Sequence, residues 1–335
     1  MALSKFKRFL VTGGAGFIGS AFIRYGLQSV SFCEKIVNLD ALTYAADLRN
    51  LSEVEKDPRY VFCKGDIRDE ALVEKLCIEH KIDAIVHFAA ESHVDRSIAG
   101  PKAFYETNVG GTLALLEVVR RLPRVHFHHI STDEVYGSLE QGGAFTEDSP
   151  YLPNSPYAAS KAASDHFVRA YAHTYGLSTT ISHCTNNYGP GQNTEKFIPR
   201  MIYGCYHKKD LPVYGKGANV RDWIFVDDHS EAVWSILAKA KKGKVYDVGG
   251  GCERTNVDLL KSIIQEFSDL KKEDPKDLTS LIAFVTDRPG HDFRYAIDCT
   301  KIKHELGWRP QHDLQLGIRK TVAWYLEHPE RLVLI

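Results

Sequence analysis

The run RFLVTGGAGFIGS, residues 8–20, constrains the fold more than any other feature, because glycines at 13, 16 and 19 join a strand-like segment to a helix-like one. A turn without side chains lets its backbone approach an anion closely. The helix start that follows offers unbonded N–H groups and a partial positive charge. The same rhythm continues downstream: KIVNLD, YVFCKGD, AIVHFAA and VHFHHIS read as strands, with FIGSAFIRYGLQ, ALVEKLCIEH and ALLEVVRRL reading as helices. Strands alternating with helices predict a parallel sheet covered on both faces. Ligands of such open sheets sit beyond the carboxyl ends of the strands, so Thr12-Gly13, Asp40, Asp66, Ala89-Ala90 and Ser131-Thr132 mark the expected site.

The pattern predicts an α/β fold of the Rossmann type, a doubly wound parallel sheet with a smaller C-terminal substrate-binding lobe. Residues 1–180 are expected to form the dinucleotide-binding domain. Residues 181–335 are expected to form mainly the second lobe, with some segments returning to the first. The lysine-rich LKKEDPKDL (270–278) reads as a solvated surface loop. Lys plus Arg (42) balances Asp plus Glu (43), which argues against nucleic-acid and membrane-surface binding. The seven cysteines are scattered and lack a C-x-x-C pair, as expected of reduced thiols in a cytoplasmic protein. Basic residues before FLV give the start a likeness to a secretory leader, but its apolar run is short and meets glycines at once, so it reads as a strand. No segment approaches a membrane span.

Asp40 closes the second strand, where a carboxylate can hydrogen-bond both adenosine ribose hydroxyls and would repel a 2′-phosphate. The expected cofactor is therefore NAD. Asp66, at the third strand end, suits the adenine edge. In SPYAASKAASDHFVRAY, Pro156 opens an amphipathic helix that puts Tyr157 and Lys161 on one face. An ammonium near a phenol favours the phenolate and makes the tyrosine a usable base. Ser131 or Thr132 supplies the hydroxyl of a Thr/Ser–Tyr–Lys set that takes a proton from a carbinol while hydride passes to nicotinamide. Asp133 and Glu134 follow at once. A simple alcohol oxidation has no use for two carboxylates, whereas elimination of water needs an acid and a base, and unequal burial can keep one of them protonated. The fifteen histidines, VHFHHIS among them, have no metal-site spacing and read as strand residues pointing both ways.

The runs TGGAGFIGS, GDIRD, HFAAESHVDRSI, STDEVYG, SPYAASKAASDH, NNYGP, YGKGANVRDW and RPGHDFRYAID together resemble the dTDP-glucose 4,6-dehydratases, nucleotide-sugar dehydratases of the extended short-chain dehydrogenase/reductase superfamily. STDEVYG and ESHVDRS are the specific ones. The resemblance implies a hydro-lyase using Thr132, Asp133, Glu134, Tyr157 and Lys161 to oxidise C4, eliminate water across C5 and C6, and return hydride to C6. It places Phe17, Ile18, Thr43 and Ile67 on the cofactor side, with Ala89, Ala90, Ser92, Thr107 and Asn187. Around the nucleotide sugar it places Ser92, Thr132, Asn186, Lys196 and Phe197. Pro212, Tyr214, Asn256 and His291 join them, with Arg221 and Arg288 for the diphosphate. It also implies a homodimer.

Three departures touch nucleotide recognition. Ala41 stands where lysine is common, the loop GPGQNTEKF differs from the usual version, and Phe293 replaces a frequent basic residue. A UDP-glucose 4,6-dehydratase, a nucleotide-sugar 4-epimerase and a non-catalytic NAD-binding protein are the competing readings. An epimerase would not need Asp133 and Glu134.

Overall fold

The computed structural model describes residues 6–140 and 142–334, so Lys5 of the leader-like start lies outside the described residues. The strands are β1 (Arg8–Thr12), β2 (Lys35–Asp40), β3 (Tyr60–Lys64), β4 (Ala84–His87), β5 (His126–Thr132), β6 (Thr179–Cys184), β7 (Asn186–Tyr188), β8 (Leu211–Tyr214), β9 (Val220–Phe225), β10 (Val245–Val248), β11 (Glu253–Thr255) and β12 (Ile282–Val285). One parallel sheet has the order β10-β6-β5-β4-β1-β2-β3. Helices on both faces leave β4, β5 and β6 buried along their whole length, which is why apolar runs here show little alternation. Two of the three histidines of β5 have hydroxyl partners: His126 meets Ser178 and Thr180 at 2.9 Å, and His128 meets Thr180 at 2.8 Å.

From β1 the chain winds outward to β2 and β3, then crosses back to β4 and winds the other way, so the connections diverge between β1 and β4. Register there puts Thr12 opposite His87 and His87 opposite His129, and one strand further Thr132 lies opposite Cys184. The carboxyl ends thus form one edge with a crevice at the reversal. β6 runs through residue 180, so the expected lobe boundary falls inside a strand of the main sheet, and helix Val226–Lys239 and β10 return to that sheet.

The second lobe has β9 between β7 and β11, and a separate β8–β12 pair. Helices Phe197–His207, Asn256–Lys271 and Leu314–Glu327 pack around Met201, Leu260, Ile263, Phe267 and Ile318. The segment LKKEDPKDL is not wholly the surface loop expected. Asp274 caps a short helix, Pro275–Thr279, by accepting from Lys276 N–H, and Leu278 is fully buried. A cap followed by proline at the first helical position outweighs the charge run.

Trp234, from the returning helix, fixes the helix that follows the glycine turn, Phe17–Ser29. Its indole N–H donates to the Phe22 carbonyl at 3.1 Å, its ring stacks on Phe22 at 4.5 Å, and Gly26 leaves room for its edge, since a Cβ there would lie 2.3 Å from the ring. The second half of the sequence therefore positions the first functional loop. Trp234→Ala should destabilise the protein by about 3–5 kcal/mol, read as a lower urea midpoint; an unchanged midpoint would show that the helix is held by other contacts.

Candidate active site

The crevice encloses about 510 Å³ and is lined from both lobes. Its floor is the glycine turn. Gly13 has φ +71°, and a Cβ on it would lie 2.6 Å from the Ala89 backbone, while a Cβ on Gly19 would lie 2.4 Å from the Gly13 carbonyl. Only glycine permits this approach of turn, helix and β4. Gly16 caps the helix without a side chain, so the first-turn N–H groups face the crevice uncovered. Phe17, Ile18, Thr43, Ile67, Ala90 and Thr107 also line it.

Asp40 sits at the crevice wall with Oδ2 accepting from Ala15 N–H and Oδ1 from Leu42 N–H, both at 2.8 Å. Burial raises its pKa, against those two bonds. Asp66 is tied instead to Arg68, whose Nη2 lies 2.6 Å from Oδ2. That bond, more than burial, holds the Asp66 carboxyl below its ordinary value, and both residues line the crevice. Asn187 and Gln192 present side-chain carbonyl oxygens that are buried without a partner. A dinucleotide-sized crevice with a side-chain-free anion cradle, a fixed carboxylate and unpartnered amide oxygens fits the expected NAD.

Thr132, at the end of β5, caps the 3₁₀ turn Asp133–Tyr136: its Oγ1 accepts from Glu134 N–H at 3.3 Å and donates to Asp133 Oδ1 at 3.3 Å. The cap turns the two carboxylates into different surroundings. Asp133 is 2% exposed with Oδ2 unpartnered. Burial, then Glu134 and Asp222, push its carboxyl well above the ordinary value, which favours the protonated form. Glu134 is raised by burial too, but Arg288, Arg221 and Lys196 oppose that rise. Adjacent acids are thereby set apart, one pushed toward its neutral form and one in the field of three cations.

Tyr157 starts the helix Pro156–Tyr175, which Ser155 caps by accepting from Ala158 N–H at 3.1 Å and which ends at Gly176 with φ +69°. Lys161 shares its face and lines the same crevice, but its ammonium donates to the Ile130 carbonyl at 2.7 Å rather than pairing with the phenol. Burial and Glu134 hold the Tyr157 phenol well above its usual value, with the neighbouring Thr132 hydroxyl pulling the other way. Tyr157 and Lys161 thus line one crevice, with the ammonium anchored to a backbone carbonyl.

Asn186 and Lys196 reach the crevice from the second lobe, and Lys196 Nζ donates to the Ser92 carbonyl at 3.0 Å, tying the lobes together. Arg221 is a fixed cation, giving its N–H groups to the carbonyls of Val220, Asp292 and Phe293 and lying 4.3 Å over the Tyr295 ring. Arg288 is freer. Its Nη1 meets Asp95 at 3.2 Å and its Nε is buried without a partner. Tyr214 also meets Asp95, at 3.2 Å, and its ring faces His291 edge-on. Phe197 packs into the core of the second lobe beside Trp223, Pro212 pairs in β8 with Ala283, and Asn256 begins a helix. Those three, like Tyr214, Arg221, Arg288 and His291, are not among the residues that line the crevice itself.

Cys184, Gln192 and Glu195 line the crevice without having been singled out, and Asp95, in the helix Val94–Ala99, pairs with Arg288. Gln192 and Glu195 fall in GPGQNTEKF, where glycine and proline signalled a loop but nothing signalled its direction.

A family model described as GDP-mannose 4,6 dehydratase matches residues 10–321. A dTDP-glucose 4,6-dehydratase from Xanthomonas campestris pv. campestris is 54% identical over 327 residues, covering 95% of this chain and 92% of that protein. The dTDP-glucose 4,6-dehydratase of Streptomyces venezuelae, solved with NAD bound, superposes with a TM-score of 0.90 at 48% identity, over 96% of this chain and 98% of that one. The Bacillus anthracis enzyme in complex with NAD gives 0.88 at 45% identity, over 97% and 98%.

The raised Asp133 carboxyl carries a stability consequence. Its native form resists ionisation, so stability falls as pH climbs from the unfolded carboxyl's ordinary value toward the raised native one. Asp133→Asn removes that fall. The variant should unfold at a higher temperature than the parent near pH 8, by about 1 kcal/mol or more, and the gap should close toward about pH 4. A lower midpoint at pH 8 would mean that Asp133 is ionised and bonded in the native protein.

Proposed function

The chain belongs to the GDP-mannose 4,6 dehydratase family, and from that premise we propose that it is a hydro-lyase converting dTDP-glucose to dTDP-4-keto-6-deoxyglucose. The observation that carries this reading is the unequal pair Asp133 and Glu134 in one crevice with Thr132, Tyr157 and Lys161. NAD, when bound, supplies the nicotinamide that accepts hydride from C4 and returns it to C6, and in oxidised form a positive charge favouring the Tyr157 phenolate. Gly13, Gly16 and Gly19 would hold its pyrophosphate, Asp40 its adenosine ribose, and Lys161 the ribose next to the nicotinamide.

Tyr157 takes the proton of the sugar 4-hydroxyl, with Thr132 Oγ polarising the same oxygen. The resulting 4-ketone acidifies the C5 proton, which Glu134 removes. Asp133 gives its proton to the C6 hydroxyl, which leaves as water. Glu134 then returns a proton to C5 as hydride reaches C6. The proton left on Tyr157 and the one lost from Asp133 re-equilibrate through solvent, so each turnover releases only water. Arg221 and Arg288 would face the diphosphate, with Arg288 exchanging Asp95 for a phosphate oxygen. A 4-epimerase would share the redox residues but has no use for a neutral acid beside a charged base.

The enzyme is proposed to act in the cytoplasm as a homodimer; no helix among the described residues is long and apolar enough to cross a membrane. Phe167 and Tyr175, exposed on the helix that carries Tyr157, support self-association through that helix.

Incubation with dTDP-glucose in heavy water, and separately with UDP-glucose, tests the assignment. The expected product of dTDP-glucose has lost one water and carries deuterium at C5. An epimerised sugar of unchanged mass would contradict the dehydration, and turnover of UDP-glucose alone would contradict the nucleotide. Glu134→Gln should still reduce bound NAD on mixing with substrate, seen as nicotinamide absorbance, while product formation falls by about a hundredfold or more. Normal product release by that variant would remove Glu134 from the mechanism.

A further inference from the structure

Beneath Lys161, on the side away from the crevice, lies a dry chain of ionisable groups that the reaction above does not use. His129 Nε2 sits 3.4 Å from Lys161 Nζ and 3.3 Å from Asp165 Oδ1. The other Asp165 oxygen accepts from Ser131 Oγ at 2.9 Å and Tyr151 OH at 3.0 Å, and faces His183 Nε2 at 3.0 Å. His183 Nδ1 lies 3.1 Å from Asp247 Oδ1, which also accepts from Tyr136 OH at 2.9 Å. The side chains of His129, Asp165, His183 and Asp247 have no solvent exposure. They come from the Tyr157 helix, β5, β6 and β10, and Asp165 follows Lys161 by one turn as Lys161 follows Tyr157.

Resting on the dehydratase reading, we propose that Asp165 is a positioning residue for the reaction: it is the buried counter-charge that keeps Lys161 an ammonium, and His183, clasped between Asp165 and Asp247, joins Ser131 and Tyr151 in holding Asp165 in place. Burial lowers the Lys161 pKa to about 8, and Asp165 is the chief group opposing that fall. Burial would raise Asp165, but His129 and His183 hold it far below the carboxylate range. Burial would likewise lower His183, yet its bonds to Asp165 and Asp247 raise it to about 9, so it is an imidazolium at neutral pH. Burial takes His129 down to about 4, so that ring is neutral and separates the two charges without cancelling either. The other titratable groups facing Lys161 are His87 on β4, held neutral by burial, Cys184 on β6, held up by burial, and Tyr157 on its own helix. Asp165 is thus the only one of these neighbours that carries a negative charge at neutral pH.

The charge pattern gives opposite signs for two substitutions, which a merely structural role would not. Asp165→Asn removes the anion, so the alkaline limb of the rate of bound-NADH formation should move down by about one pH unit, with KM for the nucleotide sugar unchanged. His183→Gln keeps an N–H toward Asp165 but removes the cation, so its limb should stay at the wild-type position or move up. Asp165→Glu, which restores the charge, should bring the limb back toward wild type. A limb that falls in both Asp165→Asn and His183→Gln, or that moves in neither, overturns the proposal. If Asp165→Asn does not fold, a downward limb in His183→Gln overturns it, and failure of both chains to fold assigns the network to the fold and also overturns it. Wild-type enzyme that does not reduce NAD with dTDP-glucose would instead sink the dehydratase reading.

Discussion

A carboxyl group shut away at the end of β5 cannot ionise cheaply, and the site is organised around that constraint. Removing an ion from water costs several kcal/mol unless partners compensate, so Asp133, with one oxygen unpartnered and carboxylates nearby, is pushed toward its protonated form. Glu134 is one residue further along the Thr132-capped turn, and there Arg288, Arg221 and Lys196 repay part of the same cost. Two chemically similar side chains are given different electrostatic surroundings through a change of direction within a single turn. The sheet register then fixes where that turn lies: Thr132 opposes Cys184, and the same edge carries the glycine cradle.

The same economy runs through the helix behind the site. Tyr157, Lys161 and Asp165 recur at one-turn intervals, so each is placed by the helix rather than by a loop. Only Tyr157 and Lys161 line the crevice, while Asp165 points to the buried histidine chain. A cation held in a dry interior needs its counter-charge equally dry, which accounts for a charged sequence SKAASDH on a helix packed against β5 and β6.

Much of this is legible in the chain itself. The glycine spacing and the strand–helix rhythm carry the parallel sheet, because each feature has a steric cause that context rarely overrides. The carboxylates at 133 and 134 are legible as functional because they directly follow a strand end. Their difference in protonation is not, since it depends on Arg221, Arg288 and Lys196, which arrive from the other lobe. The commitment of Lys161 to the Ile130 carbonyl, the pairing of Asp66 with Arg68 and the burial of Leu278 were equally hidden. Each is decided by what packs alongside, whereas periodicity reports only which face a residue occupies. His183 carries no local signal at all, because its partners Asp165 and Asp247 lie on two other elements.

The central claim is that Asp133 is a neutral acid beside an ionised Glu134. Infrared difference spectroscopy at neutral pH, comparing the wild-type protein with Asp133→Asn, reads it directly. The account predicts that the substitution removes a protonated-carboxyl stretching band and leaves the carboxylate bands in place. Loss of a carboxylate band, with no protonated-carboxyl band to lose, would contradict it.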